Sequence, residues 1–141
     1  MVICYQCEFP EIVRDVAIRD AVIVLVTTAG GKDWKEVQKF IIPARTYENG
    51  IFMAYANYSN AENGHGFCGL CCIVEPGETS LARAGPTEEI IFANIYLSLA
   101  AKAREKYHFS VISKVCFPIE KVRAHLIDLE QKCAKQPLVH I

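Results

Sequence analysis

The chain has 141 residues, of which 52% are hydrophobic and 22% charged, with a formal net charge of -1 at pH 7. This length suits one ordinary domain, and the composition is that of a globular protein rather than a disordered one. Lysine and arginine are scattered, no apolar run reaches membrane-spanning length, and no signal peptide pattern opens the chain, so we expect neither nucleic-acid nor membrane binding.

The first predicted strand is short: Val2 and Ile3 lead directly to Cys4, and Pro10 then suits the first turn of a helix. Strand ends of α/β proteins collect reactive groups, because the following loop offers free backbone N–H donors. A cysteine just before a helix also experiences the positive end of the helix dipole, which favours the thiolate. Cys4 is therefore the candidate nucleophile, against the simpler interpretation of a small buried hydrophobe.

Apolar spacing predicts the next elements. After the helix that begins near Pro10, the β-branched run Val22–Val26 lacks alternation, which predicts a strand covered on both faces. A capping-box-like start at Asp33 predicts a second helix, in which Trp34, Val37, Phe40 and Ile41 face the core.

Residues 45–49, Arg-Thr-Tyr-Glu-Asn, precede Gly50, a plausible residue to end a helix, and the strand-like residues 51–57 follow. Arg45 and Glu48 lie on adjacent helical turns. They could form an ion pair that fixes a loop near the site, or an exposed helical pair of little energetic value. The sequence alone leaves both interpretations open.

The second half of the chain is predicted to contain more strands than helices. The predicted elements are strands at 67–74, 81–85, 88–97 and 108–115, a helix at 98–107, and a helix with an apolar seam at 119–133.

These segments resemble the nitrilase superfamily, the carbon–nitrogen hydrolases. In that family a strand ends in Cys-Tyr-Asp or Cys-Trp-Asp and a helix then begins with Phe-Pro-Glu. Cys4-Tyr5 and residues 9–11 match this nucleophile segment, with Gln6 in place of the acid. The resemblance covers residues 1–104 and leaves 105–141 as a C-terminal extension.

The match continues downstream of the nucleophile. Residues 45–49 are similar to the family's Arg-Ala-x-Glu-Asn segment, which leads into a strand that ends in asparagine, here Asn57. Residues 67–77 are similar to the family's Gly-x-Ser-x-Ile strand and its Pro-x-Gly hairpin, with Cys71 in place of serine.

The resemblance implies an α/β fold that forms roughly the C-terminal half of a four-layer α-β-β-α sandwich. It also implies hydrolysis of a non-peptide C–N bond in a small amide, carbamoyl compound or nitrile, without a metal or organic cofactor. Cys4 would form a covalent thioester, and the backbone N–H of Tyr5 would stabilise the oxyanion. Six residues are expected to support this site: Glu11, Arg14, Arg45, Glu48, Asn49 and Asn57.

The family's general-base glutamate and its intermediate-stabilising lysine both come from the half upstream of the cysteine, and no residue of this chain matches those motifs. We therefore expect a half-domain that is inactive alone and that associates with itself, as a homo-oligomer, or with a complementing half. A non-catalytic binding or assembly subunit, or a degenerate fragment, is the alternative.

The cysteines offer a further alternative. Seven of them at irregular spacing suit free thiols in the cytoplasm better than a disulfide framework. Two Cys-x-x-Cys pairs, at 4–7 and 68–71, could instead form a structural zinc module, and the first could serve a thioredoxin-like redox role. Zinc is a minor alternative, because each pair lies across a strand-like pattern in which residues three apart point to opposite faces. The redox role is also minor, because the rest of the thioredoxin-like βαβ fold is not recognisable in the sequence.

Overall fold

The computed structural model describes residues 1–62, 64–77 and 79–107, so the predicted strand at 108–115 and the apolar seam at 119–133 lie outside the described residues. The strands are β1 (Val2–Ile3), β2 (Ile23–Thr28), β3 (Phe52–Asn57), β4 (Ala61–Glu62), β5 (His65–Gly66), β6 (Cys72–Val74) and β7 (Ser80–Arg83). The α-helices are α1 (Pro10–Ile18), α2 (Ile42–Asn49) and α3 (Ser98–Tyr107). Short 3₁₀ turns occupy Cys4–Glu8 and Lys32–Trp34, and a π-helical turn occupies Val37–Ile41.

One mixed sheet organises the described chain, with its strands in the order β1-β2-β3-β6-β7. The first three strands run parallel, β6 pairs antiparallel with both β3 and β7, and β4 and β5 form a separate hairpin. The register pairs Val2 with Val26 and Thr28 with Asn57, so the three parallel strands end at one edge of the sheet. The predicted α/β class is confirmed, and this edge is where the residues that follow each strand meet.

Helices cover one face of the sheet. Val13 of α1 and Ile42 of α2 pack in one buried cluster with Val24, Val26 and Met53 of the sheet. Each such side chain stabilises the fold by about 1.5–3 kcal/mol through the apolar area that it removes from water. Because β1, β2 and β3 are parallel, the chain must cross over between them, and α1 and α2 lie in those crossovers.

Among the described residues, no helix covers the other face of the sheet. Ile3, Ile23 and Leu25 are 55%, 38% and 50% exposed. Val24 and Val26, which alternate with Ile23 and Leu25 along β2, are buried, so this strand has one covered and one uncovered face. The prediction that both faces of this strand are covered is therefore wrong within the part of the chain that the structure describes.

The second predicted helix is correct in place but not in regularity. The chain passes from a 3₁₀ turn through a π-helical turn before α2 begins, and Trp34 and Phe40 are exposed rather than facing the core. Pro43 has no N–H to donate to the preceding turn, and the wider π turn shifts the side chains away from regular helical spacing. The prediction for these two aromatic residues was wrong.

Two predicted strands are shorter or missing. Strand β6 begins only at Cys72, because Gly69 and Leu70 both have positive φ angles, 61° and 58°, which form a turn. Residues 88–97 form no strand in the part of the chain that the structure describes, and Phe92 and Tyr96 are exposed there. Strand-favouring composition does not form a strand without a neighbouring backbone to pair with.

Candidate active site

Cys4 lies directly after β1, as the sequence predicts, and opens the 3₁₀ turn. Its φ angle is 49°, in the left-handed region that a residue other than glycine seldom occupies. The Gln6 side chain holds this turn, because its Oε1 accepts a hydrogen bond from the backbone N–H of Ile3 at 3.0 Å. Strained backbone of this kind is concentrated at functional sites.

Hydrogen-bond donors converge on the sulfur of Cys4. The hydroxyl of Thr28, at the end of β2, donates to Cys4 Sγ across 3.2 Å. This bond is the main reason that the pKa of the Cys4 thiol lies below its ordinary value; the backbone N–H groups of Ala29 and Tyr5 add to the effect, and partial burial opposes it. Donors that stabilise the charged form favour the thiolate, which is the reactive form of cysteine.

Two other cysteines show the opposite electrostatics. Cys7 is buried, and burial raises the pKa of its thiol to about 12. Burial likewise raises the pKa of Cys72 to about 11. Cys4 is exposed. It combines access with a lowered pKa, which these two buried thiols do not.

Two hollows meet at Cys4. On the helix side lies a cavity of about 260 Å³, lined in part by Cys4, Glu8, Thr28, Trp34 and Tyr55. On the uncovered face of the sheet lies an open groove of about 520 Å³, lined in part by Ile3, Cys4, Thr27, Ala56 and Tyr58. The exposed sulfur is thus accessible from the side on which a second layer of protein could close over a small molecule.

Asn57, predicted to support the site, ends β3 and fixes the loop after β2. Its Oδ1 accepts from the N–H of Gly30 at 2.7 Å, and its Nδ2 donates to the carbonyls of Gly30 at 3.3 Å and Gly69 at 3.0 Å. The same Nδ2 donates to Cys68 Sγ at 3.1 Å. Gly30 follows Thr28 by two residues. Asn57 therefore positions the segment that contacts Cys4, without a hydrogen bond to the sulfur itself.

Four more of the predicted residues form one network behind the turn. Arg45 is buried and donates to Glu48 Oε1 at 3.1 Å and to the backbone carbonyl of Glu8 at 2.7 Å. Arg14 donates to the Glu48 carbonyl at 2.6 Å, and Asn49 donates to the Arg45 carbonyl at 2.9 Å. The pair Arg45–Glu48 thus joins α2 to the end of the Cys4 turn, so it is not an exposed helical pair.

Glu11 is placed differently from the other predicted residues. It is exposed in the first turn of α1, where a carboxylate interacts favourably with the helix N-terminus, and it lines neither hollow. Sequence reasoning missed Thr28, Tyr55 and Glu8, all of which line the cavity beside Cys4. The rule that parallel strands end at one edge could have identified Thr28, since it ends the strand next to β1.

The two Cys-x-x-Cys pairs do not form a cluster of metal ligands in the part of the chain that the structure describes. Across residues 1–62, 64–77 and 79–107, no three or more His, Cys, Asp or Glu side chains come together as a metal site. The absence of zinc stays a prediction for elemental analysis. In the same ranges no helix has the length and apolar character needed to cross a membrane.

The fold and the site together define an α/β protein with an activated cysteine at the end of a parallel strand. The sequence model of the carbon–nitrogen hydrolase family matches residues 1–105. The chain belongs to this family, as the resemblance of the nucleophile segment indicates.

Curated relatives include two amidases. The chain is 30% identical over 103 residues to the 2-oxoglutaramate amidase of Bacillus subtilis, covering 73% of this chain and 40% of that protein. It is 31% identical over 110 residues to an (R)-stereoselective amidase of a Pseudomonas species, covering 77% and 40%. The chain thus spans about two fifths of the length of these relatives.

Solved structures of a nitrilase-superfamily amidase also match this chain. The amidase of Nesterenkonia sp. AN1 superposes with a TM-score of 0.65 at 36% identity, covering 75% of this chain and 42% of that one. A glutamate-to-glutamine mutant of that amidase, 34% identical, carries the acetamide moiety of fluoroacetamide covalently on its active-site cysteine. This match confirms the nitrilase-type α/β fold.

Proposed function

We propose that this chain carries the nucleophile of a carbon–nitrogen hydrolase that cleaves the amide bond of a small molecule. The observation that supports this most directly is the arrangement at Cys4: an exposed sulfur at a strand end, hydrogen-bonded by Thr28 at 3.2 Å, with a lowered pKa. The amidase relatives favour an amide over a nitrile or a carbamoyl compound.

In the proposed reaction the Cys4 thiolate attacks the carbonyl carbon, and the electrons of the C=O bond move to oxygen. The backbone N–H of Tyr5 directly follows the nucleophile and lies beside its sulfur, so it suits the role of oxyanion donor. As the intermediate collapses, the amide nitrogen takes up a proton from the general-base glutamate, which holds the proton lost by the Cys4 thiol, and the C–N bond breaks to release ammonia or an amine. Water then hydrolyses the thioester, giving a carboxylic acid and the free thiol.

A complementing half of the sandwich is part of this proposal. The resemblance implies that the general-base glutamate and the lysine come from that half, and a cysteine without them loses most of its catalytic advantage. The open sheet face, on which Ile3 and Leu25 are about half exposed, is the surface that such a half would cover. We propose a cytoplasmic location, with residues 105–141 as an extension of the hydrolase segment.

The same open face supports a second candidate function, that of a non-catalytic assembly subunit. In that case the chain would bind a partner or a second copy through this face, and Cys4 would never become acylated. Capture of an acyl group by Cys4 separates the two functions.

The experiment combines the purified chain with a panel of short aliphatic amides, alone and with the separately expressed N-terminal half of the Nesterenkonia amidase. Ammonia release reports turnover, and intact-mass measurement after acid quench reports the thioester. We expect no turnover by the chain alone. With the complement we expect both turnover and the thioester, and Cys4→Ala should abolish both. A stable complex that neither acylates Cys4 nor releases ammonia would support the assembly subunit instead.

A further inference from the structure

Thr28 lies between Cys4 and a buried tyrosine. Strand register pairs Val26 with Tyr55, and alternation along β2 places Thr28 on the same face as Val26. Thr28 and Tyr55 are therefore diagonal neighbours on the helix-covered face, a separation that an aromatic side chain can span. Both line the cavity that Cys4 also lines.

With Cys4 as a thiolate, which accepts hydrogen bonds but does not donate them, the Thr28 hydroxyl must donate to the sulfur. A threonine hydroxyl has a single proton, and that of Thr28 is directed at Cys4 Sγ. Thr28 interacts with the Tyr55 hydroxyl and lowers the pKa of Tyr55, but burial has the larger effect and raises that pKa above its ordinary value. Tyr55 therefore stays protonated and can donate to Thr28 Oγ1, while Thr28 donates to the sulfur.

We propose that Tyr55 and Thr28 form a two-hydroxyl relay that holds the sulfur of Cys4 as a thiolate. The relay rests on the proposed function, in which Cys4 is the nucleophile. Thr28 contacts the reacting sulfur, so it is a catalytic residue, whereas Tyr55 acts through Thr28 and is a positioning residue. Hydrogen bonds in series polarise one another, so donation from Tyr55 makes the Thr28 proton a better donor.

The relay stabilises the sulfur at two stages of the reaction. Before attack, it stabilises the negative charge on sulfur. When the C–S bond forms, that charge passes to the carbonyl oxygen, and the bond from Thr28 weakens. When water has attacked the thioester and the C–S bond breaks, the electron pair returns to sulfur and the relay stabilises the leaving thiolate.

Alkylation by iodoacetamide tests the relay without any substrate or complementing half. The rate at Cys4 is followed by peptide mass mapping from pH 6 to 10 in the unmodified chain and in Thr28→Val, Thr28→Ser and Tyr55→Phe. Thr28→Val should slow alkylation at pH 7 about fivefold and shift the midpoint to higher pH, since a charge-assisted bond to the thiolate is lost. Thr28→Ser keeps the hydroxyl and should restore the rate, and Tyr55→Phe should slow it about twofold.

The double variant Thr28→Val with Tyr55→Phe decides whether the hydroxyls act in series. It should be no slower than Thr28→Val alone, because Tyr55 acts only through Thr28. Thr79→Val and Tyr96→Phe, at exposed positions, are matched controls with an unchanged midpoint, and circular dichroism checks that each variant folds. An unchanged midpoint in Thr28→Val overturns the relay, and additive effects in the double variant overturn the role of Tyr55. If the chain with its complement failed to hydrolyse amides while the alkylation results held, the proposed function would be refuted and the relay would not.

Discussion

The side chain of Asn57 brackets the backbone of Gly30, accepting from its N–H at 2.7 Å and donating to its carbonyl at 3.3 Å. These two bonds join the end of β3 to the loop after β2, whose first residues contact Cys4. An asparagine suits this position because its amide presents a donor and an acceptor side by side. The reactivity of Cys4 should therefore depend on a residue that makes no hydrogen bond to its sulfur.

Asn57→Ala should destabilise the chain by about 2 kcal/mol, because it leaves partly buried backbone groups of Gly30 and Gly69 without their partner. It should also slow alkylation of Cys4, since Thr28 and Ala29 lose their fixed positions. Urea unfolding and iodoacetamide labelling measure the two effects. Asn94→Ala, at an exposed asparagine, is the control and should change neither. Wild-type labelling in a destabilised Asn57→Ala would contradict the positioning role.

The ion pair behind the Cys4 turn should contribute more stability than an exposed one. Glu48→Gln removes the charge that faces the guanidinium of Arg45, whose side chain is only 11% exposed, and should cost about 2 kcal/mol. Arg19→Gln removes the exposed pair with Asp15 and should cost about 0.5 kcal/mol or less. Urea unfolding of both variants at equal ionic strength makes the comparison. Equal costs would mean that the Arg45 pair is energetically a surface pair.

Limited labelling should rank the cysteines. At pH 7 to 8 iodoacetamide should modify Cys4 first, because its pKa is lowered and its sulfur is exposed. Cys7 and Cys72 should stay unmodified in the folded chain, since pKa values raised to about 12 and about 11 keep them protonated across this range. Peptide mass mapping gives the order. Earlier labelling of Cys68, or of Cys116 or Cys133 outside the described residues, would remove the physical basis for Cys4 as nucleophile.

Local patterns were enough to predict that Cys4 directly follows a strand and precedes a helix, but not which residues surround it. A short apolar run, a polar break and a helix start are all within the first ten or so residues, so they can be read directly. Thr28 is 24 residues away from Cys4 along the chain, and only the pairing of β1 with β2 brings the two together. The pairing of strands therefore brings the donors that lower the pKa of the thiol to the sulfur, and this pairing cannot be read from a single sequence.

The failures have equally physical causes. Regular helical spacing predicts that Trp34 and Phe40 face the core, but the π-helical turn at Val37–Ile41 interrupts that spacing. The strand predicted at 88–97 has the right composition but lacks a paired neighbour in the described chain. Glu11 matches a motif of the family and is exposed in the first turn of α1, where it lines neither hollow, so its supporting role stays a prediction.

Glu8 should act against the thiolate. Its carboxylate lines the cavity beside Cys4, and its negative charge raises the pKa of the Cys4 thiol, although less than the Thr28 bond lowers it. Glu8→Gln removes this charge, so alkylation below the Cys4 midpoint should become faster, by about twofold or less. The rate at pH 7 in low and high salt tests this, and the gain should shrink as salt screens the charge. Slower alkylation would instead mean that Glu8 assists the thiol, as a base would.

The open sheet face should drive self-association of the isolated chain. Leu25 is half exposed in the middle of this face, with Ile3 and Ile23 also exposed, and an uncovered apolar surface recruits other chains. Leu25→Lys should therefore reduce association in size-exclusion chromatography with light scattering while leaving the circular dichroism spectrum unchanged. Val26→Lys is the matched contrast: Val26 is the next residue and is 1% exposed towards the helices, so a lysine there should unfold the chain.

The complementing half should suppress association of the unmodified chain and bind Leu25→Lys more weakly. A monodisperse, hydrolytically active monomer of the unmodified chain would show that residues within it supply both the base and the oxyanion stabilisation, and the need for a second half would be refuted.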